Sequence, residues 1–162
     1  FSDFARMPKP HFKNNDLIKV LNENIYLLKK IDNSINFNIN NKTGKKVITN
    51  FDNEQFNRLF FNLLKNSIES IQEKAKKTNK SLKNIDIEIN QRRDYITINL
   101  IDTGEGFKDK KTKDIIKPYY TTKEKGTGLG LSIADKIIND HNGSIKFLNT
   151  NNGAKVQIIL PK

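Results

Sequence analysis

The chain has 162 residues, enough for one ordinary domain with a short flanking segment, and its 35% hydrophobic share is low but sufficient for a core. It holds no cysteine, which excludes a disulfide framework and any thiolate metal site and fits a reducing compartment. The formal net charge of +11 would suit an anionic partner, but the lysines are scattered rather than gathered in a stripe, so the excess reads as solvated surface and not as a nucleic-acid interface.

Pro8 and Pro10 exclude a regular helix before residue 14. The start, FSDFARMPKP, has no initiator methionine and no signal-peptide pattern, so the chain is expected to be a piece of a longer protein. Nowhere does an apolar run approach the ~20 residues that span a bilayer. Apolar residues at 17, 18, 20, 21, 25, 27, 28 and 31 predict a helix. SINFNINN (34–41) alternates with period two and KKVITNF (45–51) is shorter; NKTG at 41–44 predicts a hairpin between them. Asp52 and Gln55 form a capping box for a long helix. Its stripe is Phe56, Leu59, Phe60, Leu63, Leu64, Ser67, Ile68 and Ile71, and the lysines of EKAKKTNK close it. Two alternating strands follow, 85–91 and 95–102, around an Arg-Arg-Asp turn. Residues 103–127 show almost no periodicity. A helix from about Leu129 to about Asn139 precedes a last hairpin, 143–149 and 154–161 across TNNG. Paired strands between single helices predict an α/β sandwich: a mixed, largely antiparallel sheet with helices on one face.

Four stretches carry chemistry. In NLLKNSIES, Asn62 and Asn66 lie one helical turn apart on one face. A carboxamide oxygen is a hard donor suited to Mg²⁺, although asparagine is abundant here and many simply face water. In LIDTGEGF a strand ends at Asp102, and Gly104 and Gly106 permit a tight turn with positive φ. Such an aspartate can accept from an exocyclic amine such as adenine's; the plain alternative is an ordinary Asp-Thr-Gly turn. KPYYTTK (117–123) sets aromatics, hydroxyls and Lys123 in a long loop, the usual place for a lid. In KEKGTGLGLSIADKII (123–138), Gly126, Gly128 and Gly130 let the backbone approach a phosphate at a helix start, and Lys123 and Lys125 add positive charge.

The order and spacing of these stretches resemble the N, G1, F and G2 boxes of the GHKL superfamily, which joins gyrase, Hsp90, MutL and the bacterial sensor histidine kinases. DTGEGF, PYYTTKEKGTGLGLSI, HNGSI and GAKVQIILP are most similar to the histidine-kinase version, and FSDFARMP resembles the segment after the dimerisation helices in nitrogen-regulation kinases of the NtrY type. The resemblance implies a Bergerat fold that binds Mg-ATP. Asn66 would hold the Mg²⁺, with Asn62 in support. Asp102 would bind the adenine amine, and Gly104 and Gly106 would shape the adenine turn. Residues from about 108 to 127 would form the ATP lid. Gly126, Gly128 and Gly130 would cradle the phosphates, with Tyr119, Thr122, Lys123, Lys125, Thr127, Leu129 and Leu131 in the same nucleotide-binding stretch. The implied activity is that of a protein-histidine kinase. The γ-phosphate would pass to a histidine on a separate dimerisation domain, for relay to a response regulator in a two-component system. Residues 1–14 would be a linker from that domain and 15–162 the catalytic domain. The whole protein would be membrane-anchored and dimeric with this portion cytoplasmic, the fragment itself monomeric, and nucleic acid no partner.

Departures from the pattern are chemical. Tyr119 replaces the F-box phenylalanine, Glu69 stands where many kinases carry lysine, and Ala154 stands near a threonine of some relatives. ATP-hydrolysing relatives place a glutamate one turn before the metal asparagine, whereas this chain has Asn62. An amide cannot act as a general base, so the site suits holding ATP for another nucleophile. His11 and His141 are the only histidines, and both read as loop or cap residues rather than phosphoacceptors. Two other readings compete: a stand-alone protein-serine kinase or ATPase of the same superfamily, and a basic nucleic-acid module resting on charge alone.

Overall fold

A computed structural model of the chain describes residues 7–42, 44, 46–108, 115 and 130–162. Strand β1 (Lys13–Asp16) leads directly into helix α1 (Leu17–Lys29), where the Asp16 carboxylate accepts from the Ile18 N–H at 3.0 Å and caps the helix. Strands β2 (Asn36–Asn41) and β3 (Ile48–Phe51) precede the long helix α2 (Asn53–Lys77). Then come β4 (Asn84–Gln91), β5 (Tyr95–Asp102), α3 (Gly130–Asp140), β6 (Ser144–Asn149) and β7 (Ala154–Pro161).

Five strands form one sheet in the order β2-β4-β5-β7-β6, with β2 and β4 parallel and the other three pairs antiparallel. Alternation decides which side is inside. Ile85, Ile87 and Ile89 of β4, Ile96, Ile98 and Leu100 of β5, and Val156, Ile158 and Leu160 of β7 are buried against the helices. The intervening residues on the opposite side are mostly polar and more exposed, as in Asn36, Asn38 and Asn40. Helix α2 lies between α1 and α3, touching both. Its predicted stripe is the buried face, from Phe56 to Ile71. Only half of the expected capping box forms: the Gln55 N–H donates to the Asp52 carboxylate at 2.9 Å, but the Asp52 N–H goes to His141 Nε2 and the Gln55 side-chain amide donates to the Pro8 carbonyl instead. Lys74, Lys76 and Lys77 sit in the last turn, where they complement the helix dipole.

One local expectation is corrected. The strands on either side of NKTG do not form a hairpin. β2 pairs in parallel with β4, Asn36 opposite Asn84, while β3 pairs antiparallel with β1 in a separate two-stranded sheet, Phe51 opposite Lys13. A period of two fixes which side of a strand is apolar but not its partner. The polar side chains help choose: Asn36 donates to Asn84 at 3.3 Å and Asn38 to Asp86 at 3.1 Å across the parallel pair. β1, KNND, has no apolar residue to announce it and is held by its partner, with the Asn15 amide donating to the Phe51 carbonyl at 2.7 Å.

Candidate functional site

Asp102 closes β5 with its side chain on the inner face and is buried. One carboxylate oxygen accepts from the Gly104 N–H at 2.9 Å and from the Ala154 N–H of β7 at 3.3 Å. The Ser67 side chain of α2 also favours the charged form of this carboxylate. Burial pushes the carboxyl above its ordinary range; these donors and the Lys74 charge pull it back, without cancelling the desolvation. A buried, oriented carboxylate at a strand end, facing a turn, is an acceptor for a donor that a ligand brings.

The turn after β5 lies flush on α2. A side chain at Gly104 would put its Cβ 2.3 Å from the Ser70 hydroxyl and 2.7 Å from Ser70 Cβ, so this glycine answers to close approach of helix and turn. Gly106 has φ +79°, the left-handed region. The expectation of positive φ at both glycines therefore holds at Gly106, whereas at Gly104 the requirement is space. Side chains fix the turn from two sides. The Glu105 N–H donates to the Ser70 hydroxyl at 2.8 Å. Asn149 of β6 accepts from the Phe107 N–H at 2.7 Å and donates to the Phe107 carbonyl at 2.9 Å. Lys74 donates to the Gly104 carbonyl at 3.2 Å and to the Asn152 carbonyl at 2.8 Å.

Across from this turn, α2 meets the start of α3. Asn62 and Asn66 are half-buried on α2. Gly130 opens α3, and a Cβ there would stand 3.7 Å from the Asn66 amide nitrogen. Asn66 is thus beside a helix N-terminus whose first N–H groups have no partner within the helix. The pair offers an amide oxygen for a cation and N–H groups for an anion. No group of three His, Cys, Asp or Glu side chains that could hold a metal occurs among the described residues. A hard cation that keeps oxygens of water and phosphate as its main ligands fits this donor set, whereas a cation requiring several protein carboxylates does not. Leu131 is partly buried against the core. Tyr119, Thr122, Lys123, Lys125, Gly126, Thr127, Gly128 and Leu129, with most of the expected lid, lie outside the described residues.

His141 ends α3 and is a buried bracket rather than a reactive group. Its Nδ1–H donates to the Ile137 carbonyl at 2.8 Å, and its Nε2 accepts from the Asp52 N–H at 3.0 Å. Asp52 in turn accepts the His11 N–H at 2.7 Å while capping α2. Sequence reasoning missed Ser67, Ser70, Lys74 and Asn149. Ser70 and Lys74 stand four and eight residues beyond Asn66 on the same helical face, a spacing that could have pointed to them.

Residues 51–162 match the family described as histidine kinase-, DNA gyrase B-, and HSP90-like ATPase. The chain is 31% identical over 147 residues to the nitrogen regulation protein NtrY of Azorhizobium caulinodans, covering 91% of this chain and 19% of that protein. It is 33% identical over 153 residues to a Rickettsia bellii protein whose name likens it to NtrY, covering 94% of this chain and 24% of the relative. The chain therefore spans about a fifth to a quarter of the length of these relatives. Among solved structures, the nucleotide-free catalytic domain of the histidine kinase ThkA superposes with a TM-score of 0.79, at 26% identity, over 94% of this chain and 96% of that one.

Proposed function

The chain belongs to the family of histidine kinase-, DNA gyrase B- and HSP90-like ATPases, and from that premise we propose that it binds Mg-ATP and presents the γ-phosphate to a histidine on a separate dimerisation domain. The observation that carries this reading is that one helix, α2, bears on both ends of the site: its Ser70 packs on the turn after the buried acceptor Asp102, and its Asn66 stands beside Gly130 at the start of α3. Asp102 would accept the adenine amine. Asn66 would hold Mg²⁺, with Asn62 in support, and the ion would neutralise phosphate charge when bound. The N–H groups at the start of α3 would face the phosphates, with Gly126, Gly128, Lys123 and Lys125 completing that end.

The residues favour transfer over hydrolysis. Asn62 occupies the place one turn before Asn66 and cannot take a proton from water. His141 has both ring nitrogens engaged inside the fold, so it is poorly placed to accept a phosphoryl group. The acceptor would be a histidine on another domain, joined through the segment 1–14, and the phosphoryl group would then pass to a response regulator. The name of one relative, nitrogen regulation protein NtrY, supports nitrogen regulation as the setting, and the whole protein would be membrane-anchored and dimeric. Among the described residues no helix is long and apolar enough to cross a membrane.

The test joins two assays. The chain should bind ATP only with Mg²⁺ and hydrolyse it very slowly, Asn66→Ala should lose that binding with the fold intact, and an added dimerisation domain bearing its histidine should become radiolabelled from γ-labelled ATP. Rapid hydrolysis by the chain alone, with no transfer to any histidine-bearing domain, would favour the ATPase reading instead.

A further inference from the structure

Lys74 belongs to none of the four motifs, yet it reaches the site. It sits on α2 two turns beyond Asn66, on the same helical side. Its ammonium donates to two backbone carbonyls, Gly104 O at 3.2 Å and Asn152 O at 2.8 Å. The first belongs to the turn after Asp102 and the second to the loop between β6 and β7. These two segments also meet through Asn149 and Phe107, whose amide and backbone groups bond reciprocally, and through Gly153, where a Cβ would stand 2.1 Å from the Asp102 carbonyl oxygen. Lys77, three residues further along the helix, instead pairs with the Glu105 carboxylate at 2.5 Å. Lys74 thus joins three separate chain segments: the helix that carries Asn66, the turn that carries Asp102, and the hairpin whose Ala154 N–H donates to Asp102.

We propose that Lys74 is a positioning residue of the nucleotide site, tying the turn of Asp102 and the β6–β7 loop to α2 so that the base-binding and metal-binding ends keep one fixed spacing. The inference rests on the nucleotide reading above. The geometry separates it from a direct ligand contact: the ammonium is turned toward two main-chain oxygens, those of Gly104 and Asn152. Charge-assisted bonds to carbonyls are about twice as strong as neutral ones, so a cation here stiffens a turn whose own N–H groups are already committed to Ser70, Asp102 and Asn149. A base held by a single carboxylate is recognised only as well as that carboxylate is aimed.

The experiment compares Lys74→Met, which keeps the stem and removes the donor, with Lys74→Arg, which restores a cation, in the full chain. Calorimetry measures ADP, GDP and inorganic triphosphate, each with Mg²⁺, and a thermal melt monitors folding. Lys74→Met should weaken ADP by about tenfold, the scale of one lost charge-assisted bond, and shrink the ADP-over-GDP preference, with triphosphate unchanged. Lys74→Arg should recover most of the preference. Wild-type ADP affinity and preference in Lys74→Met, whatever its melting temperature, would overturn the proposal. So would equal losses for ADP and triphosphate, which indicate a phosphate contact or general damage. If Lys74→Met does not fold, Lys74→Gln, which retains one donor group, gives the same comparison at smaller amplitude. A wild-type chain that binds neither ADP nor GDP would overturn both this proposal and the nucleotide reading, and would be seen before any variant is made.

Discussion

Replacing His141 by phenylalanine tests whether the far end of α3 is held by a neutral histidine. The ring lies between Phe12 and Phe56, with centroids 5.0 and 4.6 Å away, so a phenyl ring keeps most of the packing. The substitution removes two polar contacts of unequal weight. The Ile137 carbonyl still receives the backbone N–H of residue 141 at 3.1 Å, so losing Nδ1–H leaves it bonded. The Asp52 N–H loses the acceptor it has at 3.0 Å, inside the fold. Leaving one buried donor unsatisfied costs about 2 kcal/mol. For a chain of this size that lowers Tm by about 4–8 °C. The pH dependence gives a second readout. Burial pulls the His141 imidazole below its ordinary range, against the Ile137 bond and the Asp52 and Asp140 charges that raise it. A folded-state pKa below the unfolded one means that this stabilisation is complete above the unfolded value, about 6.5, and is lost as pH falls through the folded value. Asp52 also sits below its ordinary range, because N–H donors from Gln55, His11 and Glu54 outweigh the burial that raises it, but its window opens only below about 4. Urea titrations of both proteins between pH 7.5 and 5 therefore isolate the histidine. The wild type should lose stability toward acid, and His141→Phe should start lower and lose less. Equal stability at pH 7.5, or parallel acid slopes, would refute the bracket.

Two further substitutions probe the base end. Gly104→Ala places a methyl group 2.3 Å from the Ser70 hydroxyl, so α2 or the turn must move; we expect a loss of about 1–3 kcal/mol in a urea titration, together with weaker ADP binding. In Asp102→Asn the amide can donate to a carbonyl as readily as accept from an amine, so the ADP-over-GDP preference measured by competition should collapse. Burial raises the Asp102 carboxyl above 3.8, so wild-type ADP affinity should be full at neutral pH and fall with acid earlier than an exposed aspartate would dictate, whereas Asp102→Asn should show no such fall.

The sandwich was legible because its elements announce themselves through period. Alternation in 85–91, 95–102 and 154–161 fixed the buried face of three neighbouring strands, and the stripe from Phe56 to Ile71 fixed the face of α2. Pairing was not legible, as β2 and β3 show: the local turn signal at NKTG is satisfied by a loop as well as by a hairpin, and only contacts with β4 and β1, 48 and 38 residues away, decide between them. The site divides along the same line. Asp102 and Gly106 were visible because they stand where a strand gives way to a turn, and Asn66 because the order of the four stretches resembles a known pattern, since an asparagine in the middle of a helix is by itself ordinary here. Ser70 and Lys74 were not, since a serine and a lysine near the end of a basic helix are ordinary there, and their bonds go to main-chain atoms that any sequence would supply. Backbone carbonyls and N–H groups carry no sequence signature. A residue whose work is to hold them is therefore found by asking where a turn's polar groups go, and in this chain the answer leads from Gly104 and Glu105 back to one face of the helix that bears Asn66.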